Sequence, residues 1–158
     1  MVNELESRIK KANLMYRKKR LAVIQKLEVP IRLTNSGLVA TLSTVDFYGV
    51  FLYGKGKRRR GIPIAFEAKE TENATSFPLA NIHQHQLEYL KLWIEVGGMG
   101  FFLIHFKKLY PDKAFVTPVD LIDSYWSNPT GRKSIPITDF NTDWLLDIDD
   151  YLSFFKRK

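Results

Sequence analysis

Hydrophobic and polar positions at the start of the chain follow a helical period. Leu5, Ile9, Ala12 and Tyr16 recur at spacings of 4, 3 and 4, which places them on one stripe of a helix whose other faces are basic. The apolar run Leu21 to Ile24 is short and partly β-branched. We therefore expect an amphipathic first helix followed by a strand.

Two longer segments are also typical of strands. Leu38 to Leu52 and Ile62 to Lys69 are rich in β-branched and aromatic residues, and the glycine-punctuated Tyr53 to Gly61 between them predicts a hairpin tip. Upstream, Pro30 favours an edge segment or a bend, and Asn35-Ser36-Gly37 predicts a turn. This part of the chain is expected to be β-rich and antiparallel.

The second half of the chain alternates helical and strand patterns. Its continuously apolar strand indicates burial on both faces, and the predicted order is a mixed α/β core in one domain over residues 1–158, although order alone suits several folds. The predicted elements are helix Ile82 to Val96, strand Phe101 to Ile104, strand Ala114 to Thr117, helix Val119 to Trp126 begun by Thr117-Pro118, and a helical tail Trp144 to Phe155.

Composition narrows the chemistry available to the protein. The 158 residues include no cysteine, which removes disulfides, thiolate zinc sites and thiol nucleophiles and fits a reducing compartment. Any metal site must then use oxygen or imidazole ligands. No apolar run reaches the roughly 20 residues of a membrane span, so we expect a cytoplasmic protein.

The charge is distributed unevenly along the chain. The net charge is +7, yet the segment Asp139 to Phe155 holds five acids and neither Lys nor Arg, so the remainder carries +12. A field of this size attracts phosphate backbones, and binding that depends on it weakens with salt. A basic surface that only maintains solubility is the alternative interpretation.

The candidate chemistry lies on the two strands that flank the predicted hairpin tip. Glu67 and Lys69 are two residues apart and leave one face of a strand, and Thr44 and Asp46 share a face of the preceding strand, near a glycine (Gly49) that permits close backbone approach. Pairing of the strands would bring Asp46 near Glu67. Two carboxylates suit Mg²⁺ or Mn²⁺, and phosphodiester hydrolysis uses such a centre with a nearby lysine. An exposed Glu–Lys ion pair is the competing interpretation.

Longer stretches of the sequence resemble the RecU Holliday-junction resolvases of Gram-positive bacteria and their phages. The resemblance implies a restriction-endonuclease-like core and a homodimer that binds four-way DNA junctions and nicks two strands symmetrically, with recombination proteins as further partners. The matching stretches are Ala22 to Lys26 with Pro30-Ile31, Ser43 to Val50, Ala65 to Thr71, Thr75 to Leu79, Asn81 to Gln86 and Gly131 to Ile135.

The resemblance also assigns roles to individual residues. It implies a metal site at Thr44, Asp46, Glu67 and Gln86, with Lys69 stabilising the transition state. Glu6 occupies a first-helix place where related nucleases often keep an acid, but a solvated helix glutamate is an equally good interpretation. The residues predicted to bind DNA are Lys55, Lys57, Arg58, Arg59, Arg60, Arg132 and Lys133.

Two departures from the family pattern leave the substrate open. The 13 residues from Ile31 to Ser43 are few for the family's projecting stalk, and the interval from Asp46 to Glu67 is long because of the basic tip, Lys55 to Arg60. We hypothesise that this tip supplies DNA contacts that the short stalk cannot. A nuclease for other branched or duplex DNA, or a DNA-binding recombination factor that does not cut, are the alternatives.

Overall fold

The computed structural model describes residues 3–28, 31–40, 45–128 and 130–156, apart from the side chains of residues 31, 32, 39 and 40. Within these ranges no helix is both long and apolar enough to cross a membrane. The helices are α1 (Glu4–Lys18), α2 (Gln84–Glu95) and α3 (Val119–Trp126). The strands are β1 (Ala22–Lys26), β2 (Ile31–Thr34), β3 (Gly37–Ala40), β4 (Phe47–Tyr53), β5 (Arg60–Thr71), β6 (Ser76–Pro78), β7 (Met99–Phe106), β8 (Lys113–Pro118), β9 (Ser134–Pro136) and β10 (Leu145–Asp147).

A six-stranded mixed sheet organises the molecule. Its order is β1-β4-β5-β7-β8-β10, and β2 with β3, and β6 with β9, form two small separate pairs. The β1–β4 and β4–β5 pairs are antiparallel, whereas β5 and β7 run parallel. Helices cover both faces, so the predicted mixed α/β architecture with an antiparallel start is confirmed.

The first helix covers one face of the sheet through the predicted stripe. Asn3 caps α1 by accepting a hydrogen bond from the backbone N–H of Glu6. Leu5, Ile9, Ala12 and Tyr16 are buried in a cluster with the inward residues of the sheet and of the C-terminal segment. Removing this apolar surface from water is the main contribution that holds α1 in place.

The opposite face of the sheet is covered by α2 and α3. Phe102, Ile104 and Phe106 of β7 point into this second cluster, while Leu103 points into the first. The six residues from Phe101 to Phe106 are all buried, as expected for a strand covered on both faces. The predicted helix α3 has the expected bounds, but Thr117 does not cap it, because its hydroxyl donates to the carbonyl of Phe115 within β8.

Two predicted elements were wrong in extent. The predicted strand from Leu38 to Leu52 is divided between β3 and β4, which belong to different sheets. The predicted helical tail begins as strand β10 and continues as a 3-10 segment, Ile148–Lys156, with non-helical backbone angles at Asp150. The apolar spacing of the tail reflects burial of Ile148, Tyr151, Leu152 and Phe155 without an α-helix.

The close approach predicted at Gly49 is present. A Cβ atom at this position would lie 2.0 Å from the carbonyl oxygen of Val23 and 2.7 Å from the Cα of Ile24, both backbone atoms of β1. Only a residue without a side chain therefore lets β1 pair with β4 in this register.

Replacing Gly49 with alanine is expected to lower the free energy of unfolding by about 3 kcal/mol, because the clash is with backbone that cannot move aside. Gly61→Ala is a matched control, since its Cβ would meet only a Val50 side-chain methyl at 2.9 Å. Urea denaturation of both variants checks this. A Gly49→Ala variant as stable as the control would contradict it.

Candidate active site

Two carboxylates meet where the β4–β5 ladder ends. The last register pair is Phe47 with Phe66, and β5 continues beyond it to Thr71. Asp46 occupies the next place: its Oδ2 accepts from the backbone N–H of Ala68 at 3.1 Å, and its own N–H donates to Oε2 of Glu67 at 2.9 Å. Beyond the end of β4, hydrogen bonds to these two carboxylates thus take the place of backbone pairing.

Glu67 is the centre of this group and is almost fully buried, at 3% exposure. Its Oε1 accepts from Nε2 of Gln86 at 2.8 Å and lies 3.2 Å from Nζ of Lys69. Phe66 and Ala68 point into the opposite cluster, as strand alternation predicted. The structure therefore brings Asp46, Glu67, Lys69 and Gln86 together.

Burial of the site makes it unfavourable for both carboxyl groups to carry a negative charge. Burial raises the pKa of Glu67 to about 8, with the Asp46 carboxylate as the next cause, and the Lys69 ammonium opposes the rise only in part. A carboxyl group of this kind retains a proton near neutral pH unless a further positive charge is supplied.

A second lysine, which the sequence argument did not single out, lies at the same end of the sheet. Lys26 forms an ion pair with Glu6 of α1, and the backbone N–H of Leu27 donates to the carbonyl of Asp46 at 2.7 Å. Burial lowers the pKa of Lys26, but Glu6 first, then Asp46 and Glu28, outweigh it and raise the pKa. Glu6 is therefore linked to the site through Lys26. No sequence signal marked this lysine, because its place opposite Phe47, the residue after Asp46, is visible only in the folded sheet.

Comparison with known proteins decides the family. The model of the family described as RecU, recombination protein U, matches residues 3–156. The chain belongs to the RecU family.

The RecU chain resembles several longer curated proteins. A protein of Ligilactobacillus salivarius named Holliday junction resolvase RecU is 36% identical over 145 residues, 84% of this chain and 63% of the relative. Relatives of the same name from Staphylococcus epidermidis RP62A and Pediococcus pentosaceus are each 35% identical, over 84% and 86% of this chain and 66% and 70% of their own lengths. The chain thus spans about two thirds of the length of such relatives.

The donor set of this RecU protein fits a hard divalent cation. The backbone N–H of Asp46 donates to the Glu67 carboxylate, which places the two acidic side chains close together, and the raised pKa of Glu67 indicates that a positive charge there would be favourable. In the described ranges no three His, Asp or Glu side chains gather to hold a metal. Mg²⁺ is commonly bound by one or two carboxylates together with water and substrate phosphate, so a site of this size is sufficient.

The amide of Gln86 is oriented as a donor toward Glu67. Its Oε1 accepts from the backbone N–H of His83 at 3.1 Å, at the start of α2, and its Nε2 faces Glu67. Gln86 can offer its oxygen to a cation only after exchanging these hydrogen bonds. Its predicted role as a metal ligand therefore requires a rotation of the amide, whereas its role in orienting Glu67 does not.

The structure does not bring the remaining predicted residues into this group. Thr44 falls outside the residues that the structure describes. The basic tip, Lys55 to Arg60, stands at the far end of the β4–β5 hairpin, because Glu67 and Arg60 are seven residues apart on β5, about 23 Å. Arg132 and Lys133 are exposed beside Leu79, in the segment that leads into α2.

Replacing Lys26 with methionine is expected to slow metal-dependent DNA cleavage about tenfold, because the ammonium that faces Asp46 and Glu6 is lost while the aliphatic stem is kept. Steady-state cleavage of a labelled junction measures this. Lys11→Met, at an exposed position of α1 beside Asp112 and Asp149, is the control. Equal rates for the two variants would show that Lys26 only supports α1.

Proposed function

We propose that this protein is a structure-specific endonuclease that cuts four-way DNA junctions by metal-dependent phosphodiester hydrolysis. The observation that carries the proposal is the pair formed by half-buried Asp46 and buried Glu67, with Lys69 beside it. Membership of the RecU family and the printed names of its relatives supply the substrate class. The chain covers about two thirds of the length of those relatives, so their activity is proposed for it.

Asp46 and Glu67 would hold Mg²⁺, or Mn²⁺ in its place, with Thr44 and Gln86 as further ligands. The bound ion would supply a Lewis acid for the phosphoryl oxygen and a hydroxide at neutral pH. Lys69 acts as the stabilising cation: an ammonium has three donors, so one can face Glu67 while another hydrogen-bonds the phosphate as negative charge develops. In the arrangement seen here Gln86 orients Glu67 through its amide N–H, and it would become a ligand once that amide rotates.

Several further features belong to the proposal. Lys55, Lys57, Arg58, Arg59, Arg60, Arg132 and Lys133 would contact the DNA backbone. The active form would be a homodimer, because a four-way junction has pseudo-two-fold symmetry that two copies can match. We also propose a single nuclease domain, action in the cytoplasm and contact with recombination proteins.

A nuclease for a different DNA substrate is the second candidate. Residues Ile31 to Ala40 form only a short hairpin, in which the exposed Leu33 and Leu38 are register partners. A short hairpin reaches less far into a junction centre than a longer stalk would. This favours a branched or duplex substrate without a fully open four-way centre.

One cleavage experiment separates these candidates from a protein that binds without cutting. Labelled four-way junction, three-way branch, duplex and single strand are incubated with the wild type or with Asp46→Ala, in Mg²⁺ or in EDTA. Paired symmetric nicks in the four-way junction alone, lost in EDTA and in the variant, are the expected result. Preferred cutting of the three-way branch or the duplex would support the second candidate. Binding without cutting would refute both.

A further inference from the structure

The basic tip lies close to the C-terminal end of helix α1. At this end Arg20 takes a left-handed conformation, φ +58°, and the N–H of Leu21 donates to the carbonyl of Tyr16, which terminates the helix. The exit of α1 thus lies against the outer half of the β4–β5 hairpin, where the backbone N–H of Leu52 donates to the carbonyl of Leu21.

Two adjoining grooves show which cations lie at this end of the sheet. The first, of about 230 Å³, has Tyr53, Lys55 and Lys156 on its walls, and the second, of about 420 Å³, has Arg17 and Arg20. Both grooves contain Leu21, Phe51 and Leu52, so they adjoin at these residues. Neither is lined by an acidic residue.

A third groove extends from Arg17 to Lys26, which lies next to the active site. It follows the contact of α1 with the edge strand β1 and is lined by Lys10, Arg17 and Lys26, with Glu28 as its one acid. Arg17 belongs to both the second and the third groove. Cations therefore follow one another from Lys26, beside Asp46, to the basic tip.

Most of these cations are not neutralised within the protein. Among the residues described, Arg17, Arg20 and the tip residues have no carboxylate within 4.0 Å, whereas Lys26 pairs with Glu6 and Lys156 lies 3.5 Å from Asp150. The guanidinium of Arg60 lies 5.8 Å above the ring of Tyr53, which holds it at the base of the tip. Apart from Lys26 and Lys156, the cations of this row are unpaired, which suits a ligand with regularly spaced negative charges.

We infer that this row, from Lys26 through Arg17 and Arg20 to the basic tip, binds the backbone of one duplex arm of the DNA. The inference rests on the proposed function. The inference adds that the basic tip binds the same arm at a distance from the phosphate that is cleaved. With a rise of about 3.4 Å per base pair, the 23 Å between Glu67 and Arg60 correspond to about six or seven base pairs.

Arm length provides the test. Four-way junctions with arms of 5 or 15 base pairs, closed by hairpin loops so that the short arms stay paired, are titrated by fluorescence anisotropy in Ca²⁺ and in EDTA. The wild type is expected to bind the long-armed junction about tenfold more tightly, because only these arms reach the tip. Lys57→Gln/Arg58→Gln should bind both junctions alike, and on long arms the slope of log affinity against log salt should become shallower by about 2.

The control is Lys108→Gln/Lys113→Gln, which removes the same charge from exposed positions at the opposite end of the sheet, where β7 turns into β8. This variant should keep the preference for long arms. A wild type without that preference, or tip and control variants that lose it equally, would overturn the inference. Because binding is measured without cleavage, a protein that prefers long arms but cuts nothing in Mg²⁺ would refute the proposed function and leave the inference standing.

Discussion

Glu67→Gln is expected to reduce junction cleavage in Mg²⁺ by about 10³-fold or more while leaving the fold intact. The substitution keeps the size of the side chain and an acceptor for Gln86, but it puts an NH2 group in place of the oxygen that accepts from the Asp46 N–H and removes the charge that would bind the cation. The Lewis-acid contribution of a bound metal amounts to several kcal/mol, and each 1.36 kcal/mol is a factor of ten in rate. Single-turnover cleavage of a labelled junction measures the loss.

Lys69→Met separates metal binding from transition-state stabilisation. It leaves both carboxylates in place, so we expect cleavage to fall by about 10²-fold while Mg²⁺ still protects the protein against thermal unfolding. Junction affinity in Ca²⁺ should remain near the wild-type value for Lys69→Met. For the preceding prediction, a Glu67→Gln variant with full activity would show that the cation is held at other residues.

Much of the site could be predicted because strand geometry is simple. The two-residue period alone put Glu67 and Lys69 on one face, and the glycine-punctuated tip identified the pairing that brings Asp46 to them. The role of Gln86 could be predicted only from the family resemblance. Its spacing along α2 did not indicate that the side chain faces Glu67 on β5. The contact between Lys26 and Glu6 was missed because α1 and β1 approach each other only in the folded structure.

The errors in the fold have similar causes. Ala40 and Phe47 lie in one β-rich stretch of sequence, and nothing in its composition indicates that its two parts pair in different sheets. In the tail, the apolar spacing of Ile148, Tyr151 and Phe155 is compatible with a helix, but Asp150 has non-helical backbone angles and its carboxylate accepts from the hydroxyl of Tyr16 on α1. Contacts between distant segments decided both cases, and periodicity reports only local geometry.

Metal-free wild-type protein is expected to lose stability as the pH rises, relative to Glu67→Gln. The pKa of Glu67 is about 8 in the folded state and near 4.5 in the unfolded chain. Between these values the folded state keeps a proton that the unfolded chain has released, so the free energy of unfolding falls as the pH rises from about 4.5 to about 8. The full cost, on the order of a few kcal/mol, remains above pH 8.

Urea unfolding of both proteins in EDTA at pH 6 and pH 9 measures this, because other titrating groups are shared and cancel in the comparison. Wild type should be less stable than Glu67→Gln by a larger margin at pH 9. Parallel behaviour would mean that Glu67 titrates near its ordinary pKa. Asp46→Asn, which removes the second cause of the shift, should lower the pKa of Glu67 and reduce the wild-type margin.

The same titration predicts how Mg²⁺ held at the proposed site would stabilise the protein. A cation at Asp46 and Glu67 competes with the proton on Glu67, so binding should strengthen as the pH rises toward and past about 8. The rise in melting temperature on adding Mg²⁺ should therefore be larger at pH 9 than at pH 6 for the wild type, and small at both for Glu67→Gln. An equal rise at both pH values in the wild type would indicate that the cation binds without displacing this proton.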